Sequence, residues 1–226
     1  MFQGFSDATV DFMWGIRFNN ERTWFNAHKE EFITHFQTPM RALATEVYDR
    51  MTEAHPKLEL TYKVSRIYRD ARRLFGRGPY RDCLWFSIHP YTENEGAVPV
   101  FWFELSPEDA SWGLGFWEAK ALTMAKFRAR MSRDPKAMEA LARSLNKQDT
   151  FTLEGPEYKR PQGTPPSDLL APWYRKKSIH LIHSEPISSA LYTHELVDRL
   201  CADFEFLMPF YRYLSTIDGD PDPRDA

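Results

Sequence analysis

The spacing of apolar residues changes period twice along this chain, and that switch limits the architectures open to it. Near the N-terminus the spacing is helical. Ser6 or Asp7 can cap a helix to about Phe18, with Val10, Phe12, Met13, Trp14 and Ile16 along it. Asn19-Asn20 breaks this run, because asparagine tolerates the left-handed backbone that ends helices. A second helix is expected from about Glu21, with Trp24, His28, Phe32 and Phe36 at steps of four. Pro39 should restart or kink it, and Met40, Leu43, Val47 and Met51 carry the stripe to about Ala54.

After His55-Pro56 the period drops to two. Residues 60–68, 84–88 and 98–105 read as strands, and 111–117 as a fourth. Thr92-Glu93-Asn94-Glu95-Gly96 reads as a hairpin loop, so the strands should run as an antiparallel meander. Helical spacing returns after Glu118. Asp134-Pro135 is a cap followed by proline at the first helical position, and Met138, Leu141, Ala142 and Leu145 line one face. Residues 149–173 are rich in Pro and Gly and read as a long loop. A last helix is expected from about Ser188 to Ser215, kinked at Pro209. The expected fold is α+β: an antiparallel sheet of four or more strands packed against N-terminal and C-terminal helices. Residues 1–217 are read as one domain, and 218–226 as a disordered acidic tail.

Composition narrows the function classes. At 226 residues, 42% hydrophobic and 15% aromatic, the chain can bury a substantial core and is not a disordered segment. A net charge of -3 and a pI of about 6.2 give no global reason to bind nucleic acid or an anionic membrane. No apolar run is long enough to span a bilayer, and no signal-peptide pattern opens the chain. Cys83 and Cys201 form no disulfide framework or metal-ligand spacing, so reduced thiols and a cytoplasmic location are expected. No cofactor, metal or oligomeric state is assigned.

Against this acidic background, residues 63–81 hold Lys63, Arg66, Arg69, Arg72, Arg73, Arg77 and Arg81 with one acid, Asp70, a local charge of about +6. On a continuing strand, Arg66 and Arg72 share one parity and Arg69 and Arg73 the other. Some of these guanidinium groups then face the covered side or the rim of the sheet, where an unpaired charge is costly. Two readings follow. In one they clamp an external phosphate or carboxylate, helped by backbone N–H groups at Gly76 and Gly78. In the other they pair internally with Asp70, Glu104 and Glu118. Residues 93–118 carry six acids and no Lys or Arg, which suits the second. No dinucleotide fingerprint, phosphate loop, nucleophile elbow or histidine-centred triad is present. Most aromatic residues are read as core; Trp112, Phe116 or Trp117 could line a cleft.

Specific residues also carry a resemblance. Phe2-Gln3-Gly4-Phe5, Asn19-Asn20-Glu21-Arg22 with Trp24-Phe25 and Lys29, Arg66-Ile67-Tyr68-Arg69-Asp70 with Arg72, and Pro79-Tyr80-Arg81 resemble the motifs of domain-of-unknown-function family 2461. Gly113, Gly115, Arg128 and Lys159-Arg160-Pro161 through Lys176 fit its later pattern, so the similarity covers nearly the whole chain. Two positions depart from it: Arg73 stands where the family usually has Phe, and Arg77 where it has Lys. Arginine keeps the charge there but not lysine-specific chemistry such as a Schiff base. The resemblance implies a bacterial cytosolic protein and no particular reaction. If its motif residues gather in one cleft, the ligand-binding candidates are Asn20, Arg22, Trp24, Arg66, Arg69, Arg72, Arg81 and Arg128, with Asp70 and Tyr80 as proton-handling candidates. The implied partner is an anionic small molecule; a non-enzymatic interaction domain is the alternative.

Overall fold

A computed structural model describes residues 1–91 and 98–225. Ser6 caps helix α1 (Asp7–Phe18), with its N–H donating to Thr9 Oγ1 at 3.1 Å. Asn19 ends that helix, and α2 (Arg22–Ala27) and α3 (Lys29–Glu31) follow. Phe32–Gln37 forms a π-helical turn before α4 (Thr38–Ala54). Pro39 explains this turn. It has no N–H to offer the carbonyl of His35, four residues earlier. The buried Thr9 hydroxyl donates to that carbonyl at 2.6 Å instead. The expected break at Pro39 is thus a change of helical period.

Strands β1 (Leu60–Val64), β2 (Leu84–Pro90), β3 (Val100–Leu105) and β4 (Asp109–Gly115) come next. Helices α5 (Ala121–Arg133) and α6 (Pro135–Leu145) follow, and Asp134 caps α6 by accepting from the Lys136 N–H. Then come β5 (Thr152–Glu154), α7 (Ala171–Tyr174), β6 (His180–Pro186) and α8 (Glu195–Leu214), which runs through Pro209. The strands form one six-stranded antiparallel sheet in the order β1-β2-β3-β4-β6-β5. β1 and β2 pair in register from Leu60 opposite Pro90 to Val64 opposite Phe86. The α+β class is the one expected. β6 was not anticipated, and β5 lies within what reads as loop. The hairpin loop read at Thr92–Gly96 lies outside the described residues.

The described residues group into two compact units. The first comprises Met1–Pro90, Trp102–Trp112 and Ser184–Ala202. Its core is aromatic: Phe12 meets Trp24, Phe32 and Phe36 with ring centroids 5.7, 5.6 and 6.1 Å apart. The second comprises Tyr91–Phe101, Gly113–His183 and Asp203–Ala226. There Phe101 packs on Phe204 and Tyr211, each with centroids 5.2 Å apart. Gly113 and Gly115 let β6 come close. A Cβ on them would stand 1.9 Å from the Leu181 carbonyl oxygen and 2.5 Å from that of Ile179.

At the C-terminal end, Ile217–Gly219 form a 3-10 turn, the Asp218 carbonyl accepts from Lys126 Nζ, and Asp220 pairs with Arg130 at 2.6 Å. Two cations on α5 thus hold the segment down, and the loss of terminal entropy is offset by these charge-assisted bonds.

Candidate functional site

The first strand ends at Val64, four residues earlier than its alternation suggests. The parity argument for the arginines therefore fails, because Ser65–Cys83 is a loop with a 3-10 turn at Ala71–Arg73. The loop closes on itself. The Arg69 N–H donates to the Pro79 carbonyl at 2.8 Å, the Arg81 N–H donates to the Ile67 carbonyl at 2.7 Å, and Tyr68 bridges Tyr80 between them. Among the described residues, the two loop guanidinium groups with carboxylate partners have different ones: Arg69 meets Asp82, and Arg72 meets Asp70.

Asn20 fastens this loop to the start of α2. Its Nδ2 donates to the Tyr80 carbonyl at 2.9 Å, and its Oδ1 accepts from the Tyr80 N–H at 2.9 Å. Phe25 stacks on the Tyr80 ring with centroids 4.3 Å apart. Arg69 Nε donates to the same Tyr80 carbonyl at 2.7 Å, and its Nη2 reaches Asp82 Oδ1 at 3.3 Å. Gly78 has no side chain because the Asn20 amide fills that space; a Cβ would lie 2.2 Å from its Oδ1. Beside it in the same turn, the Arg77 N–H donates to the Leu74 carbonyl at 2.8 Å.

The result is a cavity of about 370 Å³ lined by Arg22, Asn26, Tyr68, Arg69, Leu74 and Tyr80, with Ala71 and Pro79 completing it. Two lining residues are cationic and two are phenols, and none of the eight is an acid. Arg22 is exposed and makes no ion pair among the described residues. Tyr80 is 3% exposed. Burial holds its phenol above the usual range and the neighbouring Tyr68 adds to this, while Arg22 opposes it. Such a phenol stays protonated at neutral pH and serves as a hydrogen-bond donor.

Of the residues singled out from sequence, Asn20, Arg22, Arg69 and Tyr80 come together here. The others do not. Trp24 stacks on His28 with centroids 3.9 Å apart and covers Gly15, as part of the helix packing. Arg66 is exposed and does not line the cavity. Asp70 caps the 3-10 turn by accepting from the Arg72 N–H at 3.0 Å, and it holds the Arg72 guanidinium with both oxygens, at 3.1 and 2.8 Å. That internal pair matches the second reading of the arginines for these two residues. Arg81 has its Nε buried and unpartnered, and its charge favours the ionised forms of Cys83 and Glu104. Glu104 is held above the usual carboxylate range by burial, then by Asp109. Arg128 belongs to the second unit.

Sequence reasoning missed Arg17. Its side chain donates to Asp82 and to Glu108, linking Arg69 through Asp82 into a chain of alternating charges. Helical spacing would have placed Arg17 on the polar face of α1, but nothing local signals its partners 65 and 91 residues away. Two histidines tie elements together: His183 Nδ1 donates to the Thr150 carbonyl at 2.9 Å, and His194 meets Glu46 at 2.6 Å. Among the described residues no group of His, Cys, Asp and Glu is arranged to hold a metal ion. No described helix is long and apolar enough to cross a membrane.

Comparison with known families matches residues 8–213 to the family model described as Conserved hypothetical protein (DUF2461). No curated protein matches the chain.

Proposed function

Because the chain belongs to the DUF2461 family, whose description names no reaction, we propose a function from the cavity itself: it binds a small anionic molecule at Arg22 and Arg69. One observation carries this reading. A cavity of about 370 Å³, large enough for a metabolite, is lined by two arginines and two tyrosines without a carboxylate. Arg69 spends Nε and Nη2 on Tyr80 and Asp82, which fixes its orientation. Arg22 remains available to close on a phosphate or carboxylate. Tyr68 and the protonated Tyr80 contribute neutral donors to the same anion, and Leu74 and Pro79 give its body an apolar wall. Asp70 is assigned no proton-transfer role here, since Arg72 occupies both of its oxygens.

The alternative is an interaction domain whose arginines are satisfied internally. The Asp70–Arg72 pair and the Asp82 bridge between Arg17 and Arg69 favour it for those residues. Arg22 separates the two readings. Calorimetric titration with inorganic phosphate and a panel of phosphorylated and carboxylated metabolites tests them. The proposal expects saturable binding by at least one anion, weakened tenfold or more in Arg22→Ala while that variant melts like the parent. No binding across the panel, or equal affinity in Arg22→Ala, overturns it.

A further inference from the structure

The cavity at Arg22 has an aromatic wall that an anion alone leaves unused. Phe25, Tyr80 and Tyr68 form one cluster. Phe25 stacks on Tyr80 with centroids 4.3 Å apart, Tyr68 meets Tyr80 at 5.4 Å, and Phe25 and Tyr68 meet edge to face at 5.9 Å. Two of these rings are sealed, Phe25 at 2% and Tyr80 at 3% exposed, whereas Tyr68 is 56% exposed. Tyr68 is nevertheless well held, by its backbone bridge to Tyr80 and by the Arg69 N–H bond to the Pro79 carbonyl just beyond it. A ring fixed in this way, lining a cavity and open to water, is a preformed stacking surface. It loses little freedom when a second flat ring covers it.

Asn26 adds an independent feature. It lines the same cavity one helical turn after Arg22, so the two share a face of α2. It is exposed, and its side-chain amide makes no hydrogen bond among the described residues. Asn20 gives the contrast, since both ends of its amide are taken by Tyr80. An amide presents a donor and an acceptor side by side. It pairs with a flat ring whose edge offers the complementary two, as the edge of a purine does.

A sugar phosphate would use the arginines and leave Tyr68 and Asn26 idle. An aromatic carboxylate would use the arginines and Tyr68 but not the Asn26 amide. One ligand class uses all of them. Building on the anion site proposed above, we infer that its ligand is a nucleoside monophosphate. The phosphate lies at Arg22 and Arg69, the base stacks on Tyr68, and the base edge meets Asn26. A cavity of about 370 Å³ is at the small end of ligand sites, which suits one nucleotide. A net charge of -3 gives no support for holding a longer strand.

The experiment titrates the full chain calorimetrically with inorganic phosphate, ribose 5-phosphate and adenosine monophosphate. Adenosine monophosphate is expected to bind at least tenfold more tightly than ribose 5-phosphate, the increment of one stacked base. Tyr68→Ala should erase that preference, and Tyr68→Phe, which lacks only the hydroxyl, should retain it. Arg22→Ala should weaken both organic phosphates alike, by tenfold or more. If Tyr68→Ala fails to fold, Asn26→Ala at its exposed position decides, with the preference reduced at least threefold in a protein of parental stability. Equal affinity for the two organic phosphates overturns this inference; if both are still lost in Arg22→Ala, the anion site itself stands. A preference that survives in Tyr68→Ala, or in Asn26→Ala where that variant decides, overturns it too. Absence of binding by all three probes also overturns it, and the anion site is then judged by the carboxylates of the wider panel.

Discussion

Replacing Asn20 by alanine tests the idea that one side chain builds the cavity at Arg22. The change removes the donor to the Tyr80 carbonyl and the acceptor of the Tyr80 N–H, both at 2.9 Å. The carbonyl keeps Arg69 Nε at 2.7 Å, so only the N–H is orphaned. An unmatched buried donor costs about 1–3 kcal/mol, and the lost bond to the carbonyl a further ~1 kcal/mol. Asn20 is half-buried, so water recovers part of this, leaving a loss of about 2 kcal/mol, or ~4–8 °C in melting temperature for a chain of this size. Gly78 supplies an internal control. A methyl there meets the Asn20 amide at 2.2 Å, so Gly78→Ala must break the same clamp. The two changes should therefore be strongly non-additive in urea denaturation, with the double variant no worse than either single one by more than ~0.5 kcal/mol. Full additivity, or an Asn20→Ala loss below ~0.5 kcal/mol, would refute the clamp.

Two further outcomes follow from buried groups elsewhere. Thr9→Val, which keeps the shape but not the hydroxyl, leaves the His35 carbonyl without its 2.6 Å donor; chemical denaturation should show a loss of about 1–3 kcal/mol, while Thr9→Ser should lose markedly less. The Cys83 thiol is pushed up to about 12, chiefly by burial and then by Glu104, so at pH 8 it is almost wholly protonated in the folded protein. In a Cys201→Ser background, thiol labelling at pH 8 should be at least tenfold slower folded than in urea, and should accelerate as pH rises toward the raised value; folded and unfolded rates that coincide would contradict it.

Local information decided much of the fold before any coordinates. Ser6, Asn19 and Asp134 act at helix ends through bonds spanning a few residues, so their residue types suffice to place α1 and α6. The strand patterns at 60–64 and 84–88 likewise locate β1 and β2. Alternation misled past Val64, because Ser65–Tyr68 keeps a two-residue period while running as loop, paired only at the Tyr68–Tyr80 bridge. β6 was hidden for the opposite reason: His180, His183 and Ser184 dilute its apolar signal, and its pairing comes from β4 and β5. The site was half legible. Asn20, Arg22, Arg69 and Tyr80 stood out by motif. The Asp70–Arg72 pair, two residues apart, fell within the second reading of the arginines. What sequence could not show was Arg17 reaching Asp82 from a distant helix, a partnership of the folded surface that leaves no trace in spacing.

The bare backbone of Gly113 and Gly115 has a kinetic side. The stretch of β6 that they admit arrives more than sixty residues later, after three helices and a proline-rich loop have been made. Closing so long a loop is slow, and β5 with β6 can zip locally beforehand. A methyl group at either glycine would leave that hairpin formed with nowhere to dock, and its open edge would then recruit a neighbouring molecule instead. The damage from such a change should surface first as aggregation during synthesis or refolding, before any deficit can be measured in the finished protein.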